Sequence, residues 1–367
     1  FTLSGGMDSS SVLACAVNIR NKPQICYSSL YSDPTYDERD DIKNILDGYV
    51  SEWRKIVLTD SVDLISKIKE IIEIHNEPIA TATWLSHYEL MQAVKKDNIK
   101  VLFGGLGGDE LNAGEYEYFP FHFADLKFKN DKSLDFEIEK WSEYHDHHVF
   151  RKNAKKAELL INLLTDQSTS GKCLPDNQRL EKYKFLLNSL FKEFQFKPKM
   201  DNSFNSYLKN RTWQDLTTET LPCCLRAQDR NGSALGIINV LPFLDKRLVR
   251  LMFSVDGKFK IKDGITKVLL RESMKGILPD ETRNRIKKTG WNAPAHKWIN
   301  NEIKNFALKM CESIGSENIY DIEKLSKLFD EHINLSESDA YLSHMMILWP
   351  VINTLIWQDS FKIIDEK

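Results

Sequence analysis

The sequence predicts an α/β protein, a parallel, doubly wound sheet with helical additions. Two observations lead there. Over roughly the first 110 residues, short β-prone runs alternate with longer segments whose apolar residues recur at helical spacing. Right-handed crossovers turn that pattern into a parallel sheet with helices on both faces. Glycine-rich turns directly follow two of the strand runs, at 4–10 and 104–109, and ligands of such sheets bind beyond the strand C-termini.

Residues 1–3 are expected to end a first strand, with 24–30 a second, 55–58 a third and 100–103 a fourth. Between them Val12, Cys15, Ala16 and Ile19 mark one inward helix face, Ile42, Ile45 and Leu46 a second, and Leu64, Ile65, Ile68, Ile71 and Ile72 a third. Glu77-Pro78 breaks the chain, because a proline disfavours helical geometry in the residue before it. Residues 86–96 then resume it as a helix with Leu90, Met91 and Val94 inward. From about 121 to 210 the composition shifts to Lys, Glu, Phe and Leu at helical spacing, with 171–176 the clearest loop. Helices are expected to continue from 213. One of them should carry Ile238 and Val240 into Leu241-Pro242-Phe243-Leu244-Asp245, and Leu278-Pro279-Asp280 makes a second interruption. Beyond 300 the pattern is amphipathic helix alone.

Composition excludes several classes. With 367 residues, 42% hydrophobic and 28% charged, the chain can build a sizeable core and is not a disordered segment. The net charge of −3 supplies no positive field for a polyanion, so nucleic acid is not expected as a partner. No run approaches the ~18 apolar residues of a membrane helix, and the first residues do not form a signal peptide. Cysteines at 15, 26, 173, 223, 224 and 311 form neither a C-x-x-C pair nor a ladder, which fits a reducing, cytoplasmic setting. Cys223-Cys224 are expected to be buried small apolar residues. A start without Met, three residues before a glycine turn, is expected to reflect excision from a longer protein.

The sharpest motif is Ser4-Gly5-Gly6-Met7-Asp8-Ser9-Ser10, between a strand end and a helix expected to start near Ser9. Two glycines let backbone approach an anion, hydroxyls cap and donate, and a helix N-terminus adds positive partial charge. Neither G-x-x-x-x-G-K-[ST] nor G-x-G-x-x-G is present. A second constellation is Leu102-Phe103-Gly104-Gly105-Leu106-Gly107-Gly108-Asp109-Glu110, followed by Gly114-Glu115-Tyr116-Glu117-Tyr118-Phe119. Its glycines leave room for a nucleotide, and carboxylates there suit a hard cation such as Mg²⁺. The two loops should set Asp8 and Asp109 across one crevice. Asp229-Arg230-Asn231, the Pro242-Phe243-Leu244-Asp245 turn, Thr266-Lys267-Val268-Leu269-Leu270-Arg271 and residues 285–294 follow in order.

The first string resembles the pyrophosphate loop of the ATP pyrophosphatases. The ordered set, over roughly residues 1–300, resembles the synthetase domain of the asparagine synthetase family, to which β-lactam synthetases and lasso peptide cyclases are related. The resemblance implies a pyrophosphate-loop α/β fold of the adenine nucleotide α-hydrolase-like type. It divides the chain into a nucleotide-binding core at 1–120, a helical insertion at 121–210, a helical part completing the site at 211–300 and C-terminal helices at 301–367. It implies ATP and Mg²⁺ as cofactors, with Ser4, Gly5, Gly6, Asp8, Ser9 and Ser10 on the pyrophosphate, Gly104 and Gly105 on the nucleotide, and Asp8 and Asp109 on the metal. Lys267 would hold phosphate and Lys288 the acyl-adenylate transition state, with Lys287 the alternative if the register is off by one. The implied reaction is adenylation of a small-molecule or peptide carboxylate, then attack by ammonia or an amine, as in aspartate to asparagine with glutamine-derived ammonia. A glutaminase domain normally precedes such a domain, and its cysteine nucleophile has no counterpart among the six here. A homodimer is compatible with this reading, and a membrane partner is not expected.

The sequence departs from the family pattern at three positions. Leu106 stands where a polar residue is usual, Glu or Tyr, and cannot move a proton. Ile238 and Val240 stand where charged residues are usual, which is expected to make the substrate pocket less polar. These changes favour a carboxylate other than aspartate, such as that of a natural-product amide or lactam; a silent nucleotide-binding regulator is the reading from another class. His145-Asp146-His147-His148 is expected to be a solvated polar patch rather than a metal site, and Phe119, Phe121 and Phe123 core rather than substrate wall.

Overall fold

A computed structural model describes residues 1–34, 36–58, 63–145, 154–165, 184–186, 202–288, 293–313, 319–336 and 344–361. The expected loop at 171–176, residues 146–148 of the histidine tract, and Gly290-Trp291 lie outside them. The described chain is mostly helical, with short strands. β1 (Gln24–Tyr31) and β2 (Val50–Leu58) form one parallel ladder, and β3 (Val101–Phe103) and β4 (Ile238–Val240) another. Residues 1–3 join them: Thr2 N donates to Phe103 O at 2.8 Å, and Leu3 N to Tyr27 O at 2.9 Å. All of these pairings are parallel or bridge parallel strands.

Alternation along β1 divides the core. Tyr27 and Tyr31 face a cluster containing α3 (Leu64–His75), α4 (Thr83–Lys96) and α17 (Met345–Ser360). Cys26 and Leu30 face α1 (Met7–Arg20) and the turn bearing Ile42 and Ile45, because successive strand residues point to opposite faces. A third cluster joins Phe119, Phe123, Trp141 and Ile161 in α6 (Phe119–Phe128), α7 (Leu134–Tyr144) and α8 (Ala154–Thr165). Phe119, Phe121 and Phe123 are core, as expected.

Several elements differ from expectation. Ile238–Val240 is not helical but an edge strand, since its β-branched ends pair alongside β3 after Gly236 has terminated the preceding helix, α10 (Thr220–Leu235), in left-handed geometry. Strand β2 begins at Val50 rather than 55, its first turns pairing with β1 while Glu52 and Arg54 stay exposed. Helix α1 starts at Met7 and α4 at Thr83. In α1 the buried residues crowd into the first half, and Ile19, near its C-terminus, is 82% exposed rather than inward. A hairpin of β5 (Ile261–Lys262) and β6 (Ile265–Thr266) turns at Asp263-Gly264, both with positive φ, the conformation for which an Asp-Gly pair is the standard signal. Cys223 is exposed rather than buried. His145 is buried, and its Nε2–H donates to Gly264 O at 2.7 Å, because α7 ends before it and turns the ring inward.

His122 in α6 is 2% exposed, and burial pulls its pKa down to about 4. Between the ordinary value of ~6.5 and about 4, the unfolded imidazole takes a proton that the folded one refuses. Stability is therefore lost as pH falls through that window. At pH 5 this amounts to about 2 kcal/mol from His122 alone. Urea midpoints at pH 7.5 and 5.0 should show a smaller acid loss for His122→Phe than for the wild type; equal losses would assign the sensitivity elsewhere.

Candidate active site

The turn after residues 1–3 is closed by its own hydroxyls. Ser4 N donates to Ser9 Oγ at 3.0 Å, Gly6 N to Ser4 Oγ at 3.2 Å, and the two hydroxyls lie 2.9 Å apart. The arrangement leaves Gly6 as the N-cap of α1 without a side-chain cap, so the helix's first N–H groups remain available to an anion. A cavity of about 220 Å³ opens beside it, lined by Ser4, Gly6, Asp8 and Ser9 from this loop and by Gly104, Gly105, Leu106 and Asp109 from the second. Gly5 and Ser10 do not line it. Ser10 is fully buried, one turn into α1, with its hydroxyl turned into the fold; Gly5 points its carbonyl away, to Arg285.

The second loop follows β3 and leads into α5 (Gly108–Asn112). It can approach the first only because Gly105 and Gly108 lack side chains. A Cβ on Gly105 would lie 2.6 Å from Ser9 N and 2.8 Å from the Asp8 carbonyl carbon. Gly105→Ala should therefore push the loops apart, costing about 1–3 kcal/mol by overpacking and weakening pyrophosphate binding at least tenfold by calorimetry. Unchanged binding would show that the close approach is dispensable.

Lys267 caps α12 (Val268–Ser273) in left-handed geometry at φ 60, unusual for a residue with a Cβ. The hairpin before it and its own N–H, given to Asn112 O at 3.3 Å, hold it there. Its Nζ contacts Asp8 Oδ2 and lies 2.8 Å from Asp109 Oδ1. Lys288 Nζ takes the other oxygen, Asp109 Oδ2, at 2.7 Å and also contacts Glu115. Tyr116 fixes the Lys288 backbone, its hydroxyl donating to Lys288 O and accepting from Lys288 N, both at 2.9 Å. Lys287 is exposed at the cavity rim, so the register places Lys288 in the cluster.

Burial raises the Asp8 pKa against the pull of Lys267. Burial also works on Asp109, but there Lys267 and Lys288 outweigh it and hold the carboxyl below the usual range. Both lysines are pushed up, burial being overcome by the surrounding carboxylates. Burial, reinforced by Asp109, lifts Glu110 to about 8, and burial lifts Glu115 to about 7 against the pull of Lys288. Asp8 Oδ1 is buried without a hydrogen-bond partner among the described residues. That unsatisfied oxygen, with the Asp109 carboxylate beside it, fits a divalent cation bound mainly through substrate phosphates, since Mg²⁺ usually takes only one or two protein carboxylates. No group of three or more potential metal ligands occurs among the described residues.

The structure thus brings together Ser4, Gly6, Asp8, Ser9, Gly104, Gly105, Asp109, Lys267 and Lys288. Of the three departures from the family pattern, Leu106 lines the cavity, whereas Ile238 and Val240 do not, because they lie in edge strand β4, with Ile238 65% exposed. Asn231 is structural, accepting from His75 Nε2 at 2.7 Å. Glu38, Glu115, Tyr116, Arg271 and Arg285 belong to the site without having been assigned roles. All but Glu38 fall inside motifs quoted above, so their signal lay in the motif and not in their residue type.

Comparison with known proteins adds independent findings. The family model for asparagine synthase matches residues 1–359. Asparagine synthetase [glutamine-hydrolyzing] 1 of Bacillus subtilis (strain 168) is 21% identical over 368 residues, covering 97% of this chain and 55% of that protein. Asparagine synthetase [glutamine-hydrolyzing] 3 of the same organism is 25% identical over 301 residues, covering 78% and 43%. The chain spans about half the length of these relatives.

Proposed function

The chain belongs to the asparagine synthase family, and from that premise we propose that it adenylates a carboxylate and passes the acyl group to ammonia or an amine. The family supports a pyrophosphate-loop α/β fold and ATP-dependent amide-bond formation. The finer reading rests on one observation above all: Lys267 bridges Asp8 and Asp109, with Lys288 on the other Asp109 oxygen, beside a hydroxyl-closed turn at a helix N-terminus.

In this reading the carboxylate oxygen attacks the α-phosphorus of ATP, and the α–β phosphoanhydride bond breaks to release pyrophosphate. Ser4, Gly6, Ser9 and the first N–H groups of α1 hold the departing pyrophosphate. Mg²⁺, when bound, offsets the phosphate charge, and Asp8 and Asp109 are the residues that would hold it. Lys267 pulls both acids toward their ionised forms and meets the charge that builds on the phosphates, since pre-placed cations act without reorganising. Lys288, fixed by Tyr116, faces the acyl-adenylate. A nitrogen nucleophile then forms the amide bond as AMP leaves, and Glu115 beside Lys288 is placed to receive its proton.

Asparagine formation is the first product to test. Leu106 in the cavity wall favours a second product class, an amide or lactam from a less polar carboxylate. The experiment is ATP–pyrophosphate exchange with Mg²⁺ across a carboxylate panel that includes aspartate. Exchange that depends on one acid supports adenylation and names the substrate class; exchange with none, although pyrophosphate still binds, would leave a silent nucleotide-binding regulator as the better account.

A further inference from the structure

Arg285 reaches across the cavity wall to the back of the phosphate loop. Its Nη1 donates to Gly5 O at 2.8 Å and lies 3.3 Å from Glu38 Oε1, and its Nη2 pairs with Asp41 Oδ2 at 2.9 Å. The Arg285 and Glu38 side chains are only 13% and 15% exposed. Glu38 also takes a hydrogen bond from the Gly5 backbone, and its pKa is raised, first by burial and against the pull of Arg285. Gly5 is thus held from both sides, and a Cβ there would sit 3.1 Å from Arg285 Nη1. Two carboxylates therefore stand directly behind a turn read as a polyanion cradle, and one planar guanidinium offsets both. The backbone of Arg285 is anchored in turn by Arg271, whose Nη2 donates to Arg285 O at 2.9 Å. Three residues further on, the same segment delivers Lys288 to Asp109.

We propose that Arg285 is a positioning residue for the phosphate loop: it fixes Gly5 and screens the bound phosphates from Glu38 and Asp41. The inference rests on the reading that residues 4–9 hold pyrophosphate. A lysine at 285 would restore a point charge but not a fork able to serve three acceptors in one plane, so Arg285→Lys should retain part of the binding that Arg285→Ala loses. Neutralising Glu38 removes one of the charges that Arg285 offsets, so the two changes should compensate each other.

The test is titration calorimetry of the full chain with magnesium pyrophosphate, together with amide hydrogen exchange of residues 4–10 in the absence of any ligand. Arg285→Ala should weaken binding at least tenfold and speed exchange in the loop. Glu38→Gln/Arg285→Ala should regain at least threefold over Arg285→Ala. A purely architectural arginine would give a double variant no better than Arg285→Ala, and that result overturns the proposal. So does wild-type binding by Arg285→Ala. No binding by the wild type itself overturns the phosphate-loop reading, and the proposal with it.

Discussion

Lys267→Met is expected to lower ATP–pyrophosphate exchange by about 10²–10³, the usual loss when one pre-placed transition-state charge is removed, and to destabilise the fold by about 3–5 kcal/mol. Methionine retains the length and apolar stem, so the missing element is the charge. Lys267 is 6% exposed and is the contact shared by Asp8 and Asp109. Without it Asp8 loses its counter-ion, Asp109 keeps only Lys288, and both acids remain buried. Asp8 would then hold a proton in the folded state that the unfolded chain releases near the ordinary carboxylate range, while Asp109 would be held ionised by Lys288 alone. The variant's stability should therefore fall as pH rises, and its deficit should be larger at pH 8 than at pH 5.5. Urea unfolding at the two pH values reads this directly; a deficit independent of pH would mean that the acids do not depend on Lys267.

Asp8→Asn should separate the two effects. Exchange is expected to drop by at least 10², because asparagine offers a metal only a neutral oxygen. Stability is expected to hold or rise at pH 8. Burial raises the Asp8 pKa in the folded state despite Lys267, so the fold binds a proton there more readily than the unfolded chain. That difference works against folding as pH rises through the folded value, and an uncharged side chain abolishes it. An active Asp8→Asn variant would remove the metal assignment; an inactive variant that has lost its fold would remove the claim that Asp8 serves binding.

The part of the site legible in the sequence is the part made by local chain geometry. The turn at residues 4–9 and the glycines at 105 and 108 announce themselves because only small residues permit the approach of one loop to the other. Lys267 and Lys288 were legible through motif strings, although nothing local to position 267 reveals that its Nζ will meet acids from residues 8 and 109. Long-range charge pairing has no periodicity to read. That is why Arg285, whose partners lie about 245–280 positions away, and Glu38 passed without a role. Ser10 failed for a different reason: the helix begins two residues sooner than expected, which rotates that hydroxyl into the fold. Strand β4 was missed because three residues between a helix and a proline turn carry too little alternation to separate strand from helix, and its partner, β3, lies well over a hundred residues earlier. The α3 face was read correctly because Ile68, Ile71 and Ile72 lie on one side of a regular, strongly amphipathic helix.

The three-residue segment between the two ladders has a consequence for assembly. Phe1 is tied to Ile25 across 24 positions and Thr2 to Phe103 across 101. By loop-closure entropy the second tie costs about 1.3 kcal/mol more than the first, and it brings the turn at residues 4–9 against Gly105. A chain that has formed its helices and the β1–β2 ladder, yet not this longer closure, would give a near-native far-ultraviolet spectrum while holding no phosphate. Refolding followed by circular dichroism should therefore run ahead of refolding followed by pyrophosphate binding, with the interval set by how quickly the strand at 101–103 finds residue 2.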